Sequence, residues 1–262
     1  MSARPTRSLS AASVVLWSAI LACSQAATAA DNSARTIMEE AQRRTESESE
    51  RYEGILRSTE KSGKTSEKRW TYERLGSHGG AKSVIRFIAP AEVKGVALLV
   101  VNHVDRASDQ WMWTPALERD RRIATQDRGT RFFGTDFSFE DLEERDVDQF
   151  TYELLDDDVV AGAPCWRIEA TPRNTKASQY TRSIFWIRKD HHLTARIESY
   201  VKESLVRRLD YEDVRQIQGI WTALRLSMTD VKRGSTTVLS LTKVEYNVPL
   251  AEDRFSLQAL RQ

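Results

Sequence analysis

Cys165-Trp166-Arg167-Ile168-Glu169-Ala170-Thr171 is the stretch that decides the fold. Trp166, Ile168 and Ala170 alternate with Arg167 and Glu169, so an extended backbone puts the apolar side chains on one face and the charged ones on the other. The same period of two recurs on both sides of it. Downstream come Tyr180 to Arg188, Leu193 to Val201, Ser204 to Tyr211, Ile220 to Asp230 and Thr236 to Tyr246, with Ile220, Leu224, Leu226 and Met228 expected on one face. Upstream come Phe150 to Leu155, Gln110 to Thr114, the apolar run Val96 to Val101, Lys82 to Ala89, Thr65 to Leu75 and Tyr52 to Lys61. Ser62-Gly63-Lys64 supplies the first hairpin turn, and Pro90, with no N–H to give a ladder, ends Lys82 to Ala89. This spacing, without βαβ alternation, predicts a mainly β chain: about eleven strands in one large antiparallel sheet. A sheet that wide curls, so a strongly curved, half-open barrel is expected. One helical pattern, residues 34 to 50, carries Ile37, Met38 and Ala41 on a short apolar stripe ahead of the charged stretch Gln42 to Arg51. That N-terminal helix and a long central loop with short helical turns are the cover, or lid, for the sheet.

Composition sets the bounds. The 262 residues are 40% hydrophobic and 29% charged, values of a folded globular chain. Basic and acidic residues are interspersed, 39 against 38, which excludes the basic face of a general nucleic-acid binder. No linker or composition shift divides residues 31–262, so a single domain is expected there.

Residues 1–30 have the pattern of a signal peptide. Arg4 and Arg7 precede the apolar run Val14 to Ala22, and Ala27-Thr28-Ala29 offers a cleavage site. The run is shorter than the roughly 20 residues a spanning helix needs. Export to the periplasm is the expectation. Ile20-Leu21-Ala22-Cys23 resembles a bacterial lipobox, which makes anchoring through an acylated Cys23 the alternative. Cleavage near Ala30 leaves Cys165 as the mature cysteine, so no intrachain disulfide is expected, and Cys165 reads as a buried strand thiol.

The chemistry concentrates in residues 115 to 145. Arg119, Arg121, Arg122, Arg128 and Arg131 precede Asp136, Glu140, Asp141, Glu143 and Glu144. These charges either pair internally and pin a loop across the sheet, or the guanidinium forks hold a phosphate or carboxylate headgroup. Trp111, Trp113, Phe132, Phe133, Phe137 and Phe139 surround them and suit a core or a cavity wall. Gly134 suits a turn with unusual backbone angles. No GxSxG elbow, HExxH helix or P-loop occurs in the sequence. His191 and His192 are adjacent, so on a strand they diverge and cannot share a metal. Asp136 and Glu140 could form a glycosidase-like pair, but carboxylates beside five arginines are more simply salt-bridged. No enzyme activity, metal or cofactor is expected.

Phe87-Ile88-Ala89-Pro90-Ala91-Glu92-Val93-Lys94-Gly95-Val96-Ala97-Leu98-Leu99, Asp109-Gln110-Trp111-Met112-Trp113-Thr114-Pro115, Phe133-Gly134-Thr135-Asp136-Phe137 and Phe139-Glu140-Asp141-Leu142 occur in this order. Together with Trp166 to Pro172 and Tyr246-Asn247-Val248, they resemble the LolA-like family of outer membrane lipoprotein-sorting proteins. The closer likeness is to the branch described beside lipid-exporting RND/MMPL-type transporters. Asn102 to Ser108 departs from the pattern as a longer, more charged hairpin. The resemblance implies a half-open sheet with a helical lid, an apolar cavity and a periplasmic location. It implies a carrier that binds a lipid or lipoprotein acyl chain for transfer to the outer membrane, as a monomer in transient contact with the membrane. An RND/MMPL-type transporter is an implied partner. The apolar faces expected to line the cavity carry Ile85, Phe87, Leu98, Trp111 and Trp113, then Phe132, Phe133, Phe137, Leu224 and Leu226. The rim and gate are expected at Arg119, Arg121, Arg122, Asp136, Glu140 and Asp141. The rival readings are an accessory subunit that docks an envelope transporter without cargo, and an envelope hydrolase.

Overall fold

The alternation becomes a ladder in the computed structural model, which describes residues 33–262. The expected signal peptide and Cys23 lie outside the described residues. Fourteen strands form: β1 (Ser49–Thr59), β2 (Thr65–Leu75), β3 (Lys82–Ala89), β4 (Ala97–Val101), β5 (Asp109–Thr114), β6 (Arg119–Arg122), β7 (Phe150–Leu154), β8 (Asp158–Val160), β9 (Ala163–Pro172), β10 (Arg182–Arg188), β11 (Thr194–Val201), β12 (Ser204–Ile217), β13 (Ile220–Asp230) and β14 (Ser235–Tyr246). They make one antiparallel sheet in the order β6-β5-β4-β3-β2-β1-β14-β13-β12-β11-β10-β9-β7, with β8 also paired to β9. The sheet is strongly curved and open. Two of the fourteen, β6 and β8, match none of the expected runs and are short: Arg-Asp-Arg-Arg and Asp-Val-Val carry no alternation, and only their neighbours' ladders recruit them.

The expected helix over 34–50 is shorter. Helix α1 covers residues 33–43, and the chain is already β1 at Ser49. Glu50 pairs with Tyr246 across the ladder to β14 and forms a buried ion pair with Arg74, so tertiary partners override the charged segment's helical pattern. A short second helix, α2 (Leu257–Leu260), lies near the C-terminus.

The period of two sorts the apolar residues onto two faces. On the inner face, Phe87, Leu98 and Val100 pack with Phe132, Phe137 and Phe139 from the connection between β6 and β7. The Phe87 and Phe132 rings stack at 5.3 Å. Phe87 is fully buried, a contribution of about 2–3 kcal/mol from solvent exclusion alone. On the outer face, Ala97 and Leu99 pack with Trp111 and Trp113 beneath Phe255 and Leu260 of the C-terminal segment. Helix α1 sets its stripe of Ala34, Met38, Ile37 and Ala41 over Ile168 and Ala170 of β9 and Phe150 and Tyr152 of β7. Cys165 is a free, fully buried thiol packed with Trp186 and Ala195, and its burial pushes the thiol pKa up.

Candidate functional site: a two-compartment trough

The inner face is not filled by its own side chains. A cavity of about 290 Å³ is walled by Leu56, Trp70, Ile85, Phe137, Leu226 and Leu239, among others. A second of about 370 Å³ adjoins it, sharing Thr45, Glu50, Leu193 and Tyr211 in the wall. Volumes of this order are those of small-molecule sites. The first compartment is apolar with phenolic edges, where Tyr52 stacks on Tyr72 at 5.4 Å and meets Tyr246 edge-on at 6.0 Å. Burial raises the Tyr52 and Tyr72 hydroxyl pKa values and pushes Tyr211 up to about 12. Gly54 makes this wall possible. A Cβ there would lie 2.8 Å from the Trp70 ring and 2.6 Å from the Ser240 carbonyl, so glycine lets the indole cross β1. The Trp70 indole N–H, buried in this wall, has no hydrogen-bond partner among the described residues.

The second compartment is charged. Its wall carries the carboxylates Glu50, Asp141, Glu143 and Glu144 and the guanidiniums Arg74, Arg145 and Arg207. Arg74 binds Glu50 and lies 2.9 Å from Glu144, while the guanidinium also donates to Ser47, Ser77 and the Gly76 carbonyl. Glu144 accepts from the His78 backbone N–H, and the Gln42 side chain donates to the Arg145 carbonyl at 2.7 Å. This knot joins the end of α1, the start of β1, the β2–β3 turn and the end of the β6–β7 connection. Burial pushes the Glu144 carboxyl up to about 7, with Glu50 adding to the rise and Arg74 opposing it. Burial likewise raises Glu143 and lowers His78.

The connection over residues 123–149 covers the trough. Its tight turn places Phe133 at φ 45° and Gly134 at φ 75°. Asp136, fully buried, accepts from Arg131 at 2.9 Å, Ser235 at 2.6 Å and Thr237 at 2.8 Å. The carbonyl of Asp136 accepts from Arg207. Glu140 pairs with Arg145 at 3.2 Å and Asp141 accepts from the Tyr180 hydroxyl at 2.8 Å. Arg128 binds Glu143. Asp136 thus ties the connection to β14, Glu140 ties it to the β9–β10 link through Ser178 and the Gln179 N–H, and Asp141 ties it to that link through Tyr180 and, at 3.7 Å, to Arg207 of β12.

The structure redistributes the expected site residues. Ile85, Phe132, Phe137 and Leu226 line the apolar compartment. Phe87 and Leu98 sit fully buried in the packing beneath it, and Phe133 packs edge-on against Phe87 and Phe132. Trp111 and Trp113 are on the other face, because β5 pairs Leu99 with Trp111 and Ala97 with Trp113, and those β4 residues point outward. Leu224 is half-buried and outside both compartments. The register is the same on either side of it, Glu212 with Arg225 and Val214 with Ala223, but the ladder is interrupted at Leu224, where Asp213 opposite has the left-handed φ of 49°. Arg119, Arg121 and Arg122 are exposed on the edge strand and do not meet Asp136, Glu140 or Asp141. Arg122 instead binds Asp109, whose carboxyl is held far below its usual range by hydrogen bonds from Arg106, Arg122 and His103. His191 and His192 occupy a turn, stacked on Trp221 at 4.7 Å and packed against Trp166 at 5.0 Å.

The sequence reading missed Arg74, Arg145 and Arg207. A signal for two of them exists. Trp70, Tyr72, Arg74 and Arg207, Leu209, Tyr211 are alternating inward rows in which one arginine replaces an apolar residue.

A family model described as "Uncharacterized protein" matches residues 79–262. Three solved structures are similar in fold. A candidate outer membrane lipoprotein-sorting protein domain from Vibrio parahaemolyticus is 25% identical with a TM-score of 0.84, covering 88% of this chain and 100% of that one. A DUF1329 family protein from Desulfovibrio piger is 28% identical at a TM-score of 0.84, covering 88% and 99%. A LolA superfamily protein from Nitrosomonas europaea, 19% identical at a TM-score of 0.71, covers 86% and 98% and shares the fold. No protein with a curated description matches this chain.

Proposed function

We propose that this chain, which belongs to the family whose model matches residues 79–262 and has a LolA-like fold, is a periplasmic carrier holding the acyl chain of a lipid or lipoprotein in the trough beneath residues 123–149. The observation that carries the reading is the unfilled apolar compartment. Outward-facing side chains of β4 and β5 are covered by the C-terminal segment, whereas the inner wall of Leu56, Trp70, Leu226 and Leu239, on β1, β2, β13 and β14, encloses about 290 Å³. Each CH₂ moved from water into such a wall contributes about 0.8 kcal/mol, so a short length of acyl chain supplies ample affinity. Release needs the connection to lift, and the ion pairs at its ends are the bonds that would part.

Transfer toward the outer membrane and docking to an envelope transporter extend this reading. Gentle extraction of the native protein followed by lipid mass spectrometry is the test, with a stoichiometric acyl species expected. Repeated absence of one, together with no uptake of fluorescent fatty acids, would replace the carrier with an accessory subunit that carries no cargo.

A further inference from the structure

We infer that the charged compartment takes a zwitterionic headgroup, an ammonium centre beside a phosphate, whose acyl tail lies in the apolar compartment. The inference rests on the carrier reading and names its cargo class.

The charge inventory leads there. Four carboxylates, three guanidiniums and the His78 imidazole, whose charge burial disfavours, form the wall, and their direct ion-pair partners add one guanidinium, Arg128, and two acids, Glu140 and Asp230. Six carboxylates thus face four guanidiniums, an acid excess that survives even with Glu144 half protonated near pH 7. A lone anion, whether a fatty carboxylate or an anionic phosphodiester, would be pressed against that excess. A lone cation would relieve it but would leave two arginines short of acceptors. Arg207 reaches Asp141 and Asp230 only at 3.7 and 3.8 Å, beyond hydrogen-bond range, and its remaining strong bond goes to the Asp136 carbonyl. Among the described residues Arg145 has one carboxylate contact, 3.2 Å to Glu140, and otherwise sits between the ring faces of Phe150 and Tyr180 at 5.6 Å each. A guanidinium has five N–H donors, so both retain capacity for a phosphate. Glu144 and Glu50, joined through Arg74 on the same wall, offer the carboxylate side to an ammonium. A group carrying both charges satisfies both halves at once. The adjoining apolar wall then fixes the orientation, head toward Arg145 and Arg207, tail toward Trp70 and Leu239.

Four probes with one common fluorescent tail test this on the full mature chain: a phosphatidylethanolamine, a phosphatidylglycerol, a free fatty acid and an alkylammonium. The ethanolamine lipid is expected to bind at least about ten-fold more tightly than the glycerol lipid, the gain of roughly one good charge-assisted contact. Glu144→Gln is expected to narrow that ratio to less than about three-fold, while the wild-type ratio decides the matter should the variant not fold. Equal binding of the two phospholipids, or preference for the glycerol lipid, overturns the inference and leaves the carrier reading standing. An alkylammonium that binds as tightly as the ethanolamine lipid overturns the phosphate half. Failure of all four probes to bind overturns the carrier reading itself.

Discussion

The two faces of the sheet at β4 and β5 are built from alternate residues of the same short strands, yet they end differently. Outward, Ala97, Leu99, Trp111 and Trp113 meet Phe255 and Leu260, and the chain's own C-terminus completes the packing. Inward, Leu98 and Val100 meet the phenylalanines of the β6–β7 connection, and beyond them the wall of β1, β2, β13 and β14 encloses empty volume. Apolar patterning is the same on both sides. What differs is how much covering chain each face receives: a terminal segment is enough for a corner of the outer face, and one loop with one short helix is too little for the whole inner curve.

Breaking the covered face should have the largest effect. Phe255→Ala empties a filled site and is expected to cost about 3–5 kcal/mol in urea denaturation, with little change in acyl-probe affinity. A cost under about 1 kcal/mol would mean that the outer cover is loose and the contrast between the faces false. The carboxylate that fastens the inner cover comes next. Asp136→Asn leaves Arg131 without its buried partner and is expected to cost about 3 kcal/mol, against less than about 1 for Arg122→Ala on the exposed edge. Similar costs for the two would show that the connection is a surface loop.

The charged compartment sharpens the comparison through pH. Glu144 is raised from 4.5 to about 7, so the folded state binds more protons than the unfolded chain between those values. Stability attributable to this group is therefore greatest below pH 4.5, falls as pH rises from 4.5 to 7 by at most about 1.4 kcal/mol per unit, and levels off above 7. Glu144→Gln should flatten that slope in unfolding curves measured across the window. An unchanged slope would place the titration elsewhere. The smallest expected effect on folding comes from filling the gap. Leu226→Trp should cost less than about 1 kcal/mol because it grows into space rather than into a packed core, while sharply reducing acyl-probe uptake. Leu98→Trp, in the fully buried layer beneath, should instead carry the usual overpacking cost of about 1–3 kcal/mol.

The alternation of Trp166, Ile168 and Ala170, repeated along the chain, determined the antiparallel sheet, because side-chain direction in a strand follows from position alone, but it left out β6 and β8 and ended β12 at Tyr211, six residues short of Ile217. It could not determine which face is which. Trp111 and Trp113 have the composition of a cavity wall, and only the register of β5 against β4 sends them outward. The ladder is likewise interrupted where Asp213 takes φ 49° opposite Leu224, and Leu224 lies outside the wall that its spacing had assigned to it. The charged compartment was legible only in part. Asp141, Glu143 and Glu144 stood in the dense central segment, but Glu50, Arg74 and Arg207 come from strands far away in sequence. Pairing of charges depends on distance in space, and a curved sheet brings together residues that no local period relates.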